Sequence, residues 1–279
     1  MDNAWLSDLD GITSLIQSLF NIQYIISGLL VGILVGITGV GGGSLMTPLI
    51  VFLFGFPAST AVGTDLLFAS ITKASGVFVH HSKHNSVEWK IVRRLASGSL
   101  PSALVVLGLL KYFGPQNPEV TQVINFSLGI ALILTALSLF FRQRLMKAGQ
   151  KTQAQAPERF VYLQAPLTVT LGIILGALVT LSSVGAGAMG TVALLFLYPR
   201  MSTLKIVGTD LAHAIPLTAI AGMGHFYMGN VNFMLLGSLL IGSLPGIFVG
   251  SQLSAKIPER VLRPLLASIL MLIGVKFVW

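Results

Sequence analysis

The chain contains no cysteine, and it has little charge for its length. Of its 279 residues only 9% are charged, whereas 54% are apolar and the mean hydropathy is +0.85. An ordinary soluble domain carries roughly 25% charged residues, so the composition argues against a water-soluble domain and against a disordered chain. The lack of cysteine excludes disulfides, thiolate metal sites and a cysteine nucleophile. We therefore expect an all-α polytopic membrane protein.

Lysine and arginine are absent from the first 72 residues. A secretory signal peptide begins with basic residues, so this absence argues against a cleaved signal. Residues 1–21 instead carry apolar side chains at helical spacing, with polar ones largely between them. This pattern predicts an amphipathic segment that lies in the membrane interface, and a disordered tail is the alternative.

The net charge of +8 would suggest a nucleic-acid partner in a soluble protein, but in this chain the basic residues mark membrane topology. Four segments hold 14 of the 17 lysines and arginines, namely 80–94, 142–160, 199–205 and 253–263. Basic loops of membrane proteins face the cytoplasm. We therefore expect these segments on the cytoplasmic side of the cell (inner) membrane and both termini outside, which requires ten passages of the chain. The expected partner is the lipid bilayer, and no nucleic-acid partner is expected.

Eight apolar stretches approach the ~20 residues that a helix needs to cross the hydrocarbon core. They are residues 22–38, 60–79, 92–110, 122–141, 162–181, 204–226, 232–252 and 261–279. Two shorter apolar runs, 45–56 and 188–198, are typical of re-entrant or broken helices. The sequence thus predicts about eight full transmembrane helices and two short ones.

The sequence repeats itself at an offset of 144 or 145 residues. The tetrapeptide Val-Gly-Thr-Asp occurs at 62–65 and at 207–210, and Gly-Ser-Leu-Pro occurs at 98–101 and at 242–245. Each half is expected to contain five passages, and an odd number inserts the second half upside down. Inverted repeats of this kind are typical of secondary transporters, whose substrate site lies at the repeat interface near the midplane. The predicted units are a first membrane repeat, a cytoplasmic basic linker and a second repeat, at 22–141, 142–159 and 160–279.

The candidate substrate site lies at two glycine-rich sequences, each between a long span and a short one. Glycine lets the backbone leave helical geometry, and a helix that restarts after a break points its positive end at the gap. The proposed anion-binding residues are Gly39, Gly41, Gly42, Gly43 and Ser44 in the first half and Ser183, Gly185 and Gly187 in the second. Close helix packing is the alternative, and it is the better interpretation for the glycines spaced four apart in 28–36 and 242–250.

Few ionisable residues lie inside the spans, and each is therefore a functional candidate. Lys73 is predicted either to pair with the anion or to snorkel to the cytoplasmic surface. Asp65 and Asp210 are proposed to bind the coupling ion, H⁺ or Na⁺, or only to satisfy a helix N-terminus. His213, one turn after Asp210, is predicted to share that ion or to make a helix–helix hydrogen bond. Two threonines that precede the aspartates complete the proposed substrate-binding set, Thr64 and Thr209.

On these motifs the chain resembles the TauE/SafE family of bacterial membrane transporters, which is named for sulfite and organosulfonate export. The residues that carry the resemblance, which covers roughly 22–279, are 39–48, 62–65, the weaker copies 184–190 and 207–210, and 85–89 after the third passage. The resemblance implies export of a sulfur-containing or carboxylate anion, driven by an ion gradient. The second half departs from the pattern, because Ala186 and Ala188 stand where the first half has Gly42 and Ser44.

Two other motifs do not indicate a cofactor or metal site. Gly185, Gly187 and Gly190 match the spacing of a dinucleotide-binding loop, but the βαβ unit that such a loop requires is missing from the sequence pattern. His80, His81 and His84 lie in a basic boundary loop with only Glu88 beside them, so surface histidines are expected there.

The sequence therefore predicts secondary transport of a small anion, namely sulfite, an organosulfonate or a related organic anion, without a cofactor. An anion channel and an intramembrane enzyme are the alternatives. An enzyme would need a nucleophile–base pair or paired carboxylates on one face.

Overall fold

The computed structural model describes residues 21–38, 43–84, 87–114, 117–155, 157–253 and 259–279, and this part of the chain contains ten helices and no strand. The helices are α1 (Ile22–Thr38), α2 (Gly43–Phe54), α3 (Ala58–His84), α4 (Trp89–Phe113), α5 (Pro118–Gln155), α6 (Pro157–Ser182), α7 (Ala188–Leu197), α8 (Thr203–Tyr227), α9 (Phe233–Leu253) and α10 (Glu259–Val278). The predicted interfacial segment 1–21 lies outside the described residues apart from Asn21.

Five of the described helices are long and apolar enough to cross a membrane, which makes the protein a multi-pass membrane protein. They are α4, α5 over Pro118–Leu145, α6 over Tyr162–Ser182, α8 and α9. The other expected spans are also helical, but α1 and α10 contain shorter apolar stretches, Ile22–Ile37 and Pro264–Val278. The expected short helices correspond to α2 and α7.

Helix α5 is much longer than its predicted span, because it continues from 141 to Gln155. The basic residues expected in a linker, such as Arg142 and Lys147, thus lie on the last turns of a 38-residue helix. This segment is rich in Gln, Ala, Lys and Arg, which are good helix formers whether or not lipid surrounds them. Pro157 begins α6, where a first-turn proline leaves no helical hydrogen bond unmade.

Two helix pairs pack with their backbones in close contact. A Cβ on Gly28, Gly32 or Gly36 of α1 would clash with the backbone of α9, and a Cβ on Gly242, Gly246 or Gly250 of α9 would clash with α1. Helices α4 and α6 meet in the same way through Gly98, Gly172 and Gly176. The close packing predicted for the glycines spaced four apart is therefore confirmed.

The four most extensive helix pairs each join one helix from residues 22–141 to one from residues 160–279. These pairs are α1 with α9, α4 with α6, α5 with α10 and α3 with α8. Helices α3 and α8 are central, and Leu66, Ala214 and Leu217 belong to one buried apolar cluster between them and their neighbours. Both helices carry buried polar side chains, namely Thr64, Asp65 and Lys73 on α3 and Thr209, Asp210 and His213 on α8.

Candidate functional site

The chain leaves helical geometry between α6 and α7, next to the central helices. Ser183 has a φ of 59°, and it is the one non-glycine with a positive φ among the described residues. Gly185 and Gly187 both have a φ of 124°, a conformation that side chains with a Cβ rarely adopt. The Ser182 hydroxyl accepts a 3.2 Å hydrogen bond from the Val184 backbone, and Gly187 is the N-cap of α7. We call residues 183–187 the second turn.

The corresponding turn of the first half lies between α1 and α2. Gly39, Gly41 and Gly42 lie outside the described residues. Gly43 is the first residue of α2, and Ser44 follows it with a buried side chain.

Lys73 is buried in the centre of the protein with a relative exposure of 5%, so it does not snorkel to the surface. Its Nζ donates a 3.2 Å hydrogen bond to the backbone oxygen of Ala186 in the second turn. Lys73 interacts electrostatically with Asp210 and Asp65. Among the described residues the one direct ion pair joins Lys205 and Glu88, at 2.6 Å. Lys73 is thus near two carboxylates but forms no ion pair with either.

The two aspartates are held in matching ways. The Thr47 hydroxyl of α2 donates a 2.5 Å hydrogen bond to Asp65 Oδ2, and the Thr191 hydroxyl of α7 donates a 3.0 Å bond to Asp210 Oδ2. The two threonines are 144 residues apart and the two aspartates 145. Each short helix therefore binds a carboxylate from the neighbouring long helix.

Asp210 lies against the beginning of α7. The Gly187 backbone interacts with its carboxylate, and a Cβ on Gly190 would clash with Asp210 Oδ1. Unpaired amide groups and the helix dipole make a helix N-terminus favourable for negative charge. Asp210 is thus a partner of the N-terminus of α7. The sequence interpretation related it to the N-terminus of its own helix, α8, whose N-cap is Ser202.

Buried polar atoms without a hydrogen-bond partner collect at this site. They include one oxygen of each aspartate, Asp65 Oδ1 and Asp210 Oδ1, together with Ser183 Oγ and His213 Nδ1. Ser183 has a relative exposure of 1%, and its hydroxyl lies beside the Asp65 carboxylate in position to donate a long hydrogen bond to it. Buried polar groups are nearly always satisfied, so such a cluster indicates that something else binds there.

Thr64 and Thr209 make contacts unlike those expected of substrate-binding residues. Thr64 Oγ1 accepts a 3.1 Å hydrogen bond from the Asn232 backbone before α9, and Thr209 Oγ1 accepts a 3.0 Å bond from the Glu88 backbone before α4. Each hydroxyl thus satisfies an amide at the beginning of a helix in the other half of the chain. A Cβ on Gly63 would clash with Asn230 O, so the residue before Thr64 must be small for this contact.

Two histidines of α8 are buried beside these groups. His213 Nε2 lies 2.7 Å from the Ser99 hydroxyl of α4, which is the helix–helix hydrogen bond considered from the sequence. His225 Nε2 lies 2.9 Å from Thr180 O in the last turn of α6, where that carbonyl has lost its helical partner. The sequence interpretation missed His225, although an ionisable residue inside a span was signal enough. It also missed Thr47 and Thr191, which share the repeat offset.

The other histidines considered from the sequence, His80, His81 and His84, have side chains outside the described residues. Among the side chains that the structure does describe, no three His, Asp or Glu are grouped so that they could hold a metal ion.

The helices define a multi-pass membrane protein, and the charge buried among them is of the kind that marks a substrate or ion pathway. The family model described as "Sulfite exporter TauE/SafE" matches residues 24–277, so the chain belongs to the TauE/SafE family. The resemblance seen in the sequence motifs is thereby confirmed.

Curated relatives carry the same general description. A probable membrane transporter protein of Bacillus subtilis, YjnA, is 38% identical over 92% of this chain and 100% of its own length. A second one from that organism, YdhB, is 28% identical over 87% of this chain and 96% of its length. A probable membrane transporter protein of Methanocaldococcus jannaschii is 28% identical over 90% and 92%. No solved structure matches the chain.

Proposed function

We propose that the protein is a secondary transporter for a small anion, namely sulfite, an organosulfonate or a related organic anion. In this proposal it exports the anion, and export is coupled to a gradient of H⁺ or Na⁺. The observation that carries the proposal is Lys73, a buried ammonium that donates a hydrogen bond to the second turn and lies near two carboxylates without an ion pair to either. A buried charge is costly, and in a membrane protein it marks a substrate or ion pathway by default.

The transport mechanism requires that the two halves be inverted repeats. Paired contacts support this architecture, because residues 144 or 145 positions apart make equivalent hydrogen bonds in the two halves. Thr47 and Thr191 bind the two aspartates, and Thr64 and Thr209 bind the amides before α9 and α4. Alternating access then consists of one half moving against the other around a fixed central site.

The anion binds where the second turn faces Lys73. A lysine ammonium has three N–H donors, and among the described contacts one of them reaches Ala186 O. The remaining donors and the amide groups that begin α7 would hold the anion together with Ser183, Gly185 and Gly187. By the repeat, the proposal assigns the same role to Gly39, Gly41, Gly42, Gly43 and Ser44 of the first half. Thr64 and Thr209 belong to the proposed site as residues that join the two halves beside the aspartates.

Coupling follows from the two aspartates, which compete with the substrate anion for Lys73 and for the helix ends. A proton or Na⁺ at Asp65 or Asp210 neutralises the carboxylate and leaves the positive groups to the anion. His213, whose Nε2 lies 2.7 Å from the Ser99 hydroxyl, is the third group in this coupling set.

A flux experiment in proteoliposomes separates a transporter from a channel. With the membrane potential clamped at zero by K⁺ and valinomycin, an imposed H⁺ or Na⁺ gradient should drive accumulation of sulfite, thiosulfate, isethionate or sulfoacetate. A channel would only equilibrate the anion under these conditions. If none of the four anions accumulates with either cation gradient, the proposed function is wrong.

The topology can be tested cleanly because the chain has no native cysteine. We expect the exposed residue Gln143, near the end of α5, on the cytoplasmic side and Tyr227, at the end of α8, on the outside. In intact cells an impermeant maleimide should label Tyr227→Cys but not Gln143→Cys. The reverse labelling pattern would contradict the orientation.

A further inference from the structure

We propose that Gly190 sets the affinity of the substrate site, because it is the position at which the Asp210 carboxylate rests on α7 and occupies the helix end in place of the anion. This inference rests on the proposed function and adds to it the residue that determines how strongly the anion is held. Gly190 is a positioning residue that acts through Asp210. The observations behind it are the surroundings of Gly190, the contacts of Asp210 and a difference between the two halves.

Gly190 lies in the first turn of α7 and faces a carboxylate. The three atoms nearest to a Cβ on Gly190 all belong to Asp210, with Cγ at 3.1 Å and Oδ1 so close that it would clash. Among the glycines of the described residues no other would place a Cβ against a carboxylate. Gly190 is also the third glycine of the spacing that resembles a dinucleotide-binding loop. The structure gives a different reason for glycine there, which is room for a charged group.

Three residues at the beginning of α7 hold this carboxylate. Gly187, Gly190 and Thr191 lie on one face, because residues three and four apart are neighbours on a helix. The Gly187 backbone interacts with the Asp210 carboxylate, the Thr191 hydroxyl donates a 3.0 Å hydrogen bond to Oδ2, and Gly190 leaves space for Oδ1. The carboxylate thus lies directly on the helix end to which the proposed function assigns the substrate anion.

The first half does not repeat this arrangement. The residue 144 positions before Gly190 is Met46, which is fully buried in an apolar cluster with residues of α1, α3 and α9. A carboxylate placed on α2 in the way just described would clash with the Met46 Cβ. Asp65 makes its backbone contact with Thr47, one turn further into α2 than the position that corresponds to Gly187. The two aspartates are therefore not equivalent.

An anion that binds at the beginning of α7 must take the place of the Asp210 carboxylate. Two negative charges on the same amide groups repel each other strongly in the protein interior. The measured affinity for the anion is then its intrinsic affinity, reduced by the strength with which Asp210 holds the helix end. A carboxylate that returns to the helix end also helps to release the anion. Glycine at 190 lets the carboxylate come close, and any Cβ would keep it away.

The variant that tests this inference is Gly190→Ala. Its Cβ meets the end of a flexible side chain, so the carboxylate can move aside while the helices stay in place. Radiolabelled sulfite should bind to the purified variant with a dissociation constant about 5- to 30-fold lower than in the wild type, at alkaline pH so that Asp210 carries its charge. In proteoliposomes the KM for sulfite should fall as well. Gly108→Ala, on α4 in open space, should change neither value.

A second variant removes the charge and keeps the shape. Asp210→Asn should also lower the dissociation constant for sulfite, because an amide competes less well for the helix end. If Gly190 acts through that charge, Gly190→Ala should add little in the Asp210→Asn background. Asn needs no additional space, so this variant tests the inference even where Gly190→Ala does not fold. Melting temperatures of the same samples show which variants fold.

The outcomes separate this inference from the proposed function. Unchanged or weaker sulfite binding by a folded Gly190→Ala would show that Gly190 does not set the affinity, and so would effects of the two substitutions that simply add. Sulfite binding that is no tighter in Asp210→Asn would show that Asp210 does not compete with the anion. In each case a sulfite-binding wild type leaves the proposed function standing. If the wild type binds none of sulfite, thiosulfate, isethionate and sulfoacetate, the proposed function itself is wrong.

Discussion

Replacing Lys73 by methionine should weaken anion binding strongly while leaving the helices in place. Methionine has a similar length and fills the same volume, but it has no charge and no donor. A hydrogen bond to a charged group is worth about 1.5–3 kcal/mol, and each 1.4 kcal/mol is about tenfold in affinity. Loss of a single bond between Lys73 and the anion should therefore raise the dissociation constant about 10- to 150-fold.

The same substitution leaves Ala186 O without its 3.2 Å hydrogen bond, so stability must be measured beside affinity. The assay is equilibrium binding of radiolabelled sulfite to the purified protein, with the melting temperature measured on the same samples. Lys73→Arg, which keeps a charge and donors, should retain part of the binding. Lys111→Met, at an exposed position of α4, should bind like the wild type. If Lys73→Met folds and binds with unchanged affinity, Lys73 does not contact the substrate.

Because α4 packs closely on α6, Gly98→Ala should lower the melting temperature by roughly 5 °C, since overpacking costs about 1–3 kcal/mol. Gly108 of α4 faces open space, so Gly108→Ala should leave the melting temperature unchanged. Equal melting temperatures for these two variants would contradict the packing. Thr209→Val removes the hydroxyl that accepts the Glu88 amide hydrogen bond, worth about 1 kcal/mol, so amide hydrogen exchange at the start of α4 should become about fivefold faster. An unchanged exchange rate would refute the capping contact. His225→Phe should lower the melting temperature, because Thr180 O loses its hydrogen-bond donor. His225→Gln, which keeps a donor, should lower it much less. Equal melting temperatures for the two variants would show that this hydrogen bond is unimportant.

The helices were predictable from the sequence to the extent that hydropathy and helix formation coincide. Glycines four residues apart lie on one face of a helix, so close packing on these faces of α1 and α9 followed from spacing, but the pairing of the two helices with each other did not. The extent of α5 did not follow, because hydropathy falls at Arg142 while helix propensity stays high through Gln155. The end of an apolar run marks a membrane boundary and says little about where a helix stops.

The site was predictable where its residues are chemically unusual for a membrane interior. Lys73, Asp65 and Asp210 stood out because charge is rare in the spans, and the structure buries all three. The roles of Thr64 and Thr209 were not predictable, because their hydroxyls bind amides of helices far away in the sequence. Contacts of that kind depend on tertiary structure and leave no local pattern.

The pairing of helices across the two halves has a consequence for biosynthesis. Gly28 of α1 packs against Leu239 of α9, and roughly 10–40 s of translation at about 5–20 residues per second separates the two. During that interval the glycine face of α1 must lie against lipid or an insertion factor, as must that of α4 until α6 arrives. The first half therefore waits in the membrane without its native neighbours, and assembly is completed only after α9 and α10 have left the ribosome.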